Sequence, residues 1–289
     1  MKAIIDELYG EAPTNVLYHY TSLDAIPSIV REGALRATDI HYFNDSAELG
    51  HTSALLLNEI RARQSERAGD QIILGQLSQW VADRVVNGHA MFVVSLTANG
   101  NLLSQWRSYC TYGKGVSLGF ATVRLLEAAT AQAFRVVKCV YDSGEQRRIA
   151  GVVVGAVESF AAHRGPAPSN KAHPSQSYHP AFAECEDDVL RIAAVLKNPA
   201  FKEEAEWRVV SPIVADYVHS DISYRPGRST LIPYRLFKLT GSGGALELAR
   251  VFVGPTPNVN LSMNSLSQFL SRNGLSPEIV NSQVPYRET

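Results

Sequence analysis

Short β-branched runs and segments with helical spacing follow one another irregularly along this chain, and this pattern most constrains its fold. Val16–His19, Met91–Leu96 and Glu206–Val214 have the length and residue types of strands. No glycine-rich turn joins a strand to a following helix, which does not favour a doubly wound nucleotide-binding sheet. We therefore predict one α+β domain over 1–289, with helices around a split, mostly antiparallel sheet.

Helix signals complete this outline. A helix should begin near Asp24 and end at Gly33, and apolar residues at 3,4,3,4 spacing predict one amphipathic helix from Phe182 to Leu196. The stretch His163–Pro180 contains four prolines and predicts an exposed loop within the domain.

Composition excludes several classes of protein. With 45% hydrophobic and 19% charged residues, the 289-residue chain is neither disordered nor fibrous and can bury a full core. No window approaches the ~18 apolar residues of a membrane span, and the first residues lack a secretion signal. Three cysteines without a CxxC motif predict a reducing cytoplasm, and a net charge of -1 gives no bulk attraction for nucleic acid.

The first candidate motif is Leu17–Ser22, LYHYTS. His19 lies near the end of a predicted strand between two tyrosines, which an ideal strand points to the opposite face. An imidazole nitrogen of His19 could accept a hydrogen bond from a ribose hydroxyl. Alternatively, His19 is a structural histidine and Tyr18 and Tyr20 pack in the sheet.

The second motif is Leu103–Tyr109, LSQWRSY. Trp106, Arg107 and Tyr109 combine an aromatic surface, a guanidinium and a phenol within one helical turn, which suits a ligand with rings and phosphates. Alternatively, Trp106 is a core anchor and Arg107 forms a surface ion pair.

The third motif is Phe201–Val210, FKEEAEWRVV. If the chain is extended from Glu204 onward, Glu204, Glu206 and Arg208 share one face of a strand. Carboxylates held there could stabilise a developing cation or act as a general base. Alternatively, they are cross-strand charges, with Arg208 and Glu206 as a structural ion pair.

Other polar clusters point more weakly to a site. Asn44, Asp45 and Glu48 form a further cluster, which suits a helix N-terminus better than a site. His173, His179 and Cys185 could be metal ligands, but their spacing matches no known site and a solvated loop explains them better. The usual nucleotide and zinc motifs, GxxxxGK[ST], GxGxxG and HExxH, are absent from the sequence, and we predict no metal site.

Taken together, "LYHYTS", "LSQWRSYC..GKGVSLGF" and "EAEWRVV" resemble a bacterial family catalogued as a domain of unknown function. The first motif also resembles the NAD-binding start of ADP-ribosyltransferase toxins, especially DNA-modifying ones. This second resemblance implies an ADP-ribosyltransferase-like fold, in which His-aromatic-Thr becomes His19, Tyr20 and Thr21 and the histidine binds the adenosine ribose of NAD.

The resemblance also implies roles for the later motifs. Glu204 and Glu206 match a Glu-x-Glu pair, with Glu206 the better catalytic candidate. Tyr109 or Trp106 would stack on nicotinamide, and Arg107 or Arg208 would contact the pyrophosphate.

These observations lead to three functional hypotheses. The first is an NAD-dependent ADP-ribosyltransferase of a toxin or phage-defence type, which acts on nucleic acid or protein and could have a cognate inhibitor. The second is a non-catalytic nucleotide- or protein-binding module on the same fold. The third is a metal-dependent hydrolase or nuclease, which would require Asp45, Glu48, Glu204 and Glu206 to converge.

Overall fold

The computed structural model describes residues 1–43, 47–109, 115–170, 172–240 and 246–284, with only the backbone of Ala47 and Glu48. Their strands are β1 (Leu17–Ser22), β2 (Ala34–Asp39), β3 (Ala90–Thr97), β4 (Gly115–Phe120), β5 (Arg135–Lys138), β6 (Glu206–Val214), β7 (Ser223–Pro226), β8 (Leu231–Lys238), β9 (Arg250–Val253) and β10 (Glu278–Asn281). Their α-helices are α1 (Lys2–Leu8), α2 (Ile26–Glu32), α3 (Ala47–Ser65), α4 (Gln71–Asn87), α5 (Leu103–Tyr109), α6 (Thr122–Ala131), α7 (Ser143–Arg164), α8 (His179–Glu184), α9 (Glu186–Ala193) and α10 (Val259–Arg272).

The described strands form one open sheet in the order β10-β9-β4-β1-β3-β2-β8-β7, to which β6 adds by pairing with β3 and β5. All of these pairs are antiparallel except β9 with β10. The predicted α+β class with a mostly antiparallel sheet is confirmed.

The sheet splits at β3. One edge of β3 pairs with β6 along Ala90–Thr97. The other edge is shared, because β1 pairs with it only at Thr97 and β2 only at Phe92 and Val93. Beyond these points β1 continues with β4 and β2 with β8, so the two halves of the sheet diverge. The β1–α2–β2 connection crosses between them.

Helices cover both faces of the centre of the sheet. Met91 and Val93 pack with helices α1, α3, α4, α7, α8 and α9, whereas Phe92, Val94 and Leu96 pack with α2, α6 and α10. Alternate residues of β3 therefore enter two cores, which explains its uninterrupted apolar run. None of the helices in the described residues is both long and apolar enough to cross a membrane.

Local signals set several helix ends. Gly33 ends α2 with a left-handed φ of 56°, as predicted, because glycine adopts this conformation without steric cost. The predicted helix from Phe182 to Leu196 is wrong as a single helix: it breaks at Cys185 into α8 and α9. The acidic first turn of α9, Glu186–Asp188, favours a new helix start through the helix dipole.

Candidate functional site

A cleft of about 650 Å³ lies where β1 and β2 diverge from β3. Its walls come from β1, β2, β3, α2 and α5, and from side chains at the start of β6. This volume lies within the range of small-molecule sites. The split of the sheet creates the space, since neither β1 nor β2 fills the edge of β3 near Val94 and Ser95.

His19 lines this cleft and spans the gap between the diverging strands. Its Nδ1 donates a hydrogen bond to the carbonyl oxygen of Ser95 at 3.0 Å. Burial lowers the pKa of His19, although the Ser95 bond opposes the shift. The ring is therefore neutral at pH 7, with Nδ1 protonated and Nε2 as the nitrogen that can accept a hydrogen bond.

The neighbouring residues of β1 divide between the cleft and the core. The hydroxyl of Tyr20 donates to the carbonyl of Asn99 at 3.0 Å and accepts from the amide of Leu102 at 2.7 Å. Tyr20 borders the cleft, but its ring is buried and its hydroxyl is bonded to the backbone, so the side chain has a structural role. Thr21 also lines the cleft.

Of the three candidates on α5, the structure brings one to the cleft. Tyr109 lines it and is 46% exposed. Trp106 is 1% exposed, meets Tyr20 edge-on at 4.6 Å and donates from Nε1 to Asn101 at 2.9 Å. Trp106 and the exposed Arg107 are outside the cleft lining. The alternative reading of Trp106 as a core anchor describes its place in the structure.

The predicted strand Glu206–Val214 is confirmed, but the condition that the chain is already extended at Glu204 does not hold. Asn198 caps a 3-10 helix over Pro199–Glu204 by accepting from the amide of Ala200, and Ala205 then takes a left-handed φ of 43°. The strand begins only at Glu206. The two carboxylates still lie close together, because both accept hydrogen bonds from one ammonium group, that of Lys197.

Among the residues that the structure describes, four side chains form a compact charge cluster in the cleft wall: Glu204, Glu206, Lys197 and Arg208. Arg208 donates from Nε and a terminal nitrogen to the two oxygens of Glu206 at 2.9 and 3.1 Å. Lys197 Nζ lies 2.5 Å from Glu206 Oε2. The side chain of Glu204 is 22% exposed and that of Glu206 is 6% exposed, so Glu204 is the more accessible carboxylate.

The electrostatics of the cluster fix the charge of Glu206. Burial alone would raise the pKa of Glu206, but the charges and hydrogen bonds of Arg208 and Lys197 outweigh it and lower the pKa to about 2. Glu206 is therefore ionised at neutral pH and is a weak base. It can accept hydrogen bonds and place negative charge, but it is unsuited to removing a proton.

Lys197 was not identified from the sequence, because its position in the cleft depends on contacts between distant segments. The side chain of Gln146 donates to the carbonyls of Val140 and Lys197, both at 2.7 Å, which ties this segment to α7. The hydroxyl of Tyr141 accepts from the amide of Glu206 at 3.1 Å. No local sequence pattern indicates these partners.

The cluster of His173, His179 and Cys185 does not assemble into this site. Asp45, Cys110 and the side chain of Glu48 lie outside the described residues. His173 accepts from the amide of Ser175 at the start of a short 3-10 helix, and His179 packs against Phe182. Within the described ranges, no group of three His, Cys, Asp or Glu side chains is arranged to hold a metal ion.

Comparison with known proteins gives one partial match. The model of a family described as a protein of unknown function (DUF2971) matches residues 105–209, just over a third of the chain. No curated protein matches the chain. The matched segment includes Tyr109 and the whole charge cluster, whereas His19 precedes it.

Proposed function

We propose that the cleft binds NAD and that the protein transfers ADP-ribose from it to a nucleic acid or protein acceptor. One observation carries this proposal: His19 and the acidic pair of Glu204 and Glu206, far apart in sequence, line the same cleft. Its volume of about 650 Å³ suits a dinucleotide.

The reaction requires carboxylates held in fixed positions more than it requires a strong base. The bond between ribose C1′ and the nicotinamide nitrogen breaks, nicotinamide leaves with the bonding electrons, and C1′ becomes cation-like before an acceptor atom attacks it and loses its proton. Carboxylates beside the ribose stabilise this charge and orient the 2′-hydroxyl, an effect typically worth ~10²–10³ in rate. Glu206 is buried and ionised, and Glu204 is the more exposed of the two carboxylates.

The remaining lining residues match other parts of the ligand. Nε2 of neutral His19 can accept a hydrogen bond from a ribose hydroxyl. Tyr109, and Tyr42 on the 3-10 helix after β2, are 46% and 41% exposed and border the same cleft. Half-exposed aromatic rings in a cleft suit stacking on adenine or nicotinamide.

A second candidate function follows from the pairing of Glu206. Both oxygens of this carboxylate are bonded to cations. This pairing favours a module that binds a nucleotide without breaking it. Nucleotide binding by the wild-type protein without nicotinamide release would support this second function against the first.

The test is release of nicotinamide from NAD, in the presence of a cell lysate as the source of acceptor. Glu204→Gln should lower the rate by about 10²-fold, because it removes the accessible carboxylate and keeps the shape. Glu203→Gln is the matched control, since Glu203 is an exposed neighbour outside the cleft lining and should leave the rate unchanged. A wild-type protein that neither binds NAD nor releases nicotinamide would contradict the proposal.

A further inference from the structure

Two arginines face the cleft from the wall formed by β2, β8 and β7. Arg36 lies opposite Leu236 and Arg225 lies opposite Ile232. Directly opposed residues share a face of a sheet, as do alternate residues of one strand. Arg36 and Arg225 therefore project from the same face, and both line the cleft.

Tyr234 lies between the two arginines on this face. It is the alternate residue between Ile232 and Leu236 on β8, and the guanidinium of Arg36 lies 5.1 Å from the centre of its ring. Arg36 thus already leans toward the side of the wall that carries Arg225. The two side chains border one continuous space.

The carboxylates that line the cleft are already paired. Glu204 and Glu206 belong to the charge cluster, and Glu32 lies 3.7 Å from Arg31. Within the described part of the chain, no carboxylate lies within ion-pair distance of Arg36 or Arg225. Among the described residues, this wall therefore carries two positive charges without a carboxylate paired to either of them.

We propose that Arg36 and Arg225 form a phosphate-binding subsite for a nucleotide diphosphate. Guanidinium groups match phosphate oxygens with paired, charge-assisted hydrogen bonds. The subsite rests on the proposed function in one respect: if the ligand is NAD, its diphosphate lies against this wall. The two arginines considered from sequence fit less well, because Arg107 does not border the cleft and Arg208 is bonded to Glu206 and to the carbonyl of Ala194.

The test is calorimetric titration of the full chain with ADP, adenosine and inorganic pyrophosphate. Arg36→Gln and Arg225→Gln should each weaken ADP binding about tenfold, the usual effect of losing a charged hydrogen bond. Adenosine, which lacks phosphate, should bind the variants and wild type alike. Arg228→Gln is the matched control, since Arg228 is exposed in the same hairpin but outside the cleft lining, and it should change ADP binding less than twofold.

The titration with pyrophosphate tests whether the subsite binds a free diphosphate or requires a nucleotide. Pyrophosphate that displaces ADP from wild type would mean that the subsite accepts the diphosphate alone, and failure to displace it would mean that the nucleoside is also required. Either result supports the subsite if the arginine dependence holds. Unchanged ADP binding in both variants, no ADP binding to wild type, or an equal loss in Arg228→Gln or Arg107→Gln would overturn it.

Failure of the subsite can be told from failure of the transferase. Arginine-dependent ADP binding without nicotinamide release would retain the subsite and contradict the proposed reaction. Nicotinamide release that is insensitive to Arg36→Gln and Arg225→Gln would retain the reaction and overturn the subsite. Thermal unfolding of each variant checks that the fold is intact.

Discussion

Replacing Glu206 by glutamine should destabilise the folded protein by about 3 kcal/mol at neutral pH. Glutamine keeps the shape but removes the negative charge that accepts two hydrogen bonds from the guanidinium of Arg208, which is 1% exposed. Breaking one partner of a buried ion pair typically costs about 3–5 kcal/mol. The pKa of Glu206 gives a consistent magnitude, because a shift from 4.5 to about 2 corresponds to about 3 kcal/mol.

The same shift predicts how the effect depends on pH. The folded pKa of Glu206 lies below its unfolded value, so its contribution is complete above pH 4.5 and is lost as the pH falls toward 2. A protonated Glu206 resembles glutamine. The stability difference between wild type and Glu206→Gln should therefore shrink to roughly half by about pH 3.

Urea unfolding at a series of pH values measures this difference. Glu203→Gln is the surface control and should change stability by less than about 0.5 kcal/mol. The double variant Glu206→Gln/Arg208→Met should recover part of the loss, since it removes the buried cation together with the buried anion. A Glu206→Gln protein within 1 kcal/mol of wild type, or a difference that does not vary with pH, would refute the reasoning.

Three further predictions follow from the site. Burial lowers the folded pKa of His19 below 6.5, so the contribution of His19 to stability should decline as the pH falls below 6.5. In urea unfolding at a series of pH values, the free energy of unfolding of His19→Gln should therefore fall less steeply with decreasing pH than that of wild type. Equal slopes for the two proteins would contradict this. Trp106→Phe should cost about 1–3 kcal/mol, because the fully buried indole loses its hydrogen bond to Asn101, while ADP-ribose affinity stays within twofold. Weaker binding at unchanged stability would restore the predicted stacking role of Trp106. Tyr42→Ala and Tyr109→Ala should each weaken ADP-ribose binding about two- to tenfold in calorimetry without lowering the melting temperature, and unchanged affinity would exclude stacking.

The parts of the fold that local sequence determines were predictable. Glu206–Val214 was predicted with its observed bounds because its β-branched residues suit a buried strand, and Gly33 marked the end of α2. The strands β2 and β7 were missed, since ALRATD and SYRP lack an apolar run. Such strands owe their conformation to their partner strands more than to their own residues.

The candidate site was predictable only in part. His19 and Glu206 were proposed as one site from a resemblance, and the structure places both in one cleft. Lys197, Arg36 and Arg225 could not be found, because what brings them to the cleft is strand register and contacts between distant segments. The spacing of residues along a single sequence contains no information on strand register or on contacts between distant segments.

The most direct test of the central claim is a crystal structure of the protein with a non-hydrolysable NAD analogue. We expect density for the dinucleotide in the gap between β1 and β2, with a ribose hydroxyl at His19 Nε2, the diphosphate at Arg36 and Arg225, and the nicotinamide ribose beside Glu204 and Glu206. Density at any other surface of the molecule, with this cleft occupied by water alone, would contradict the account.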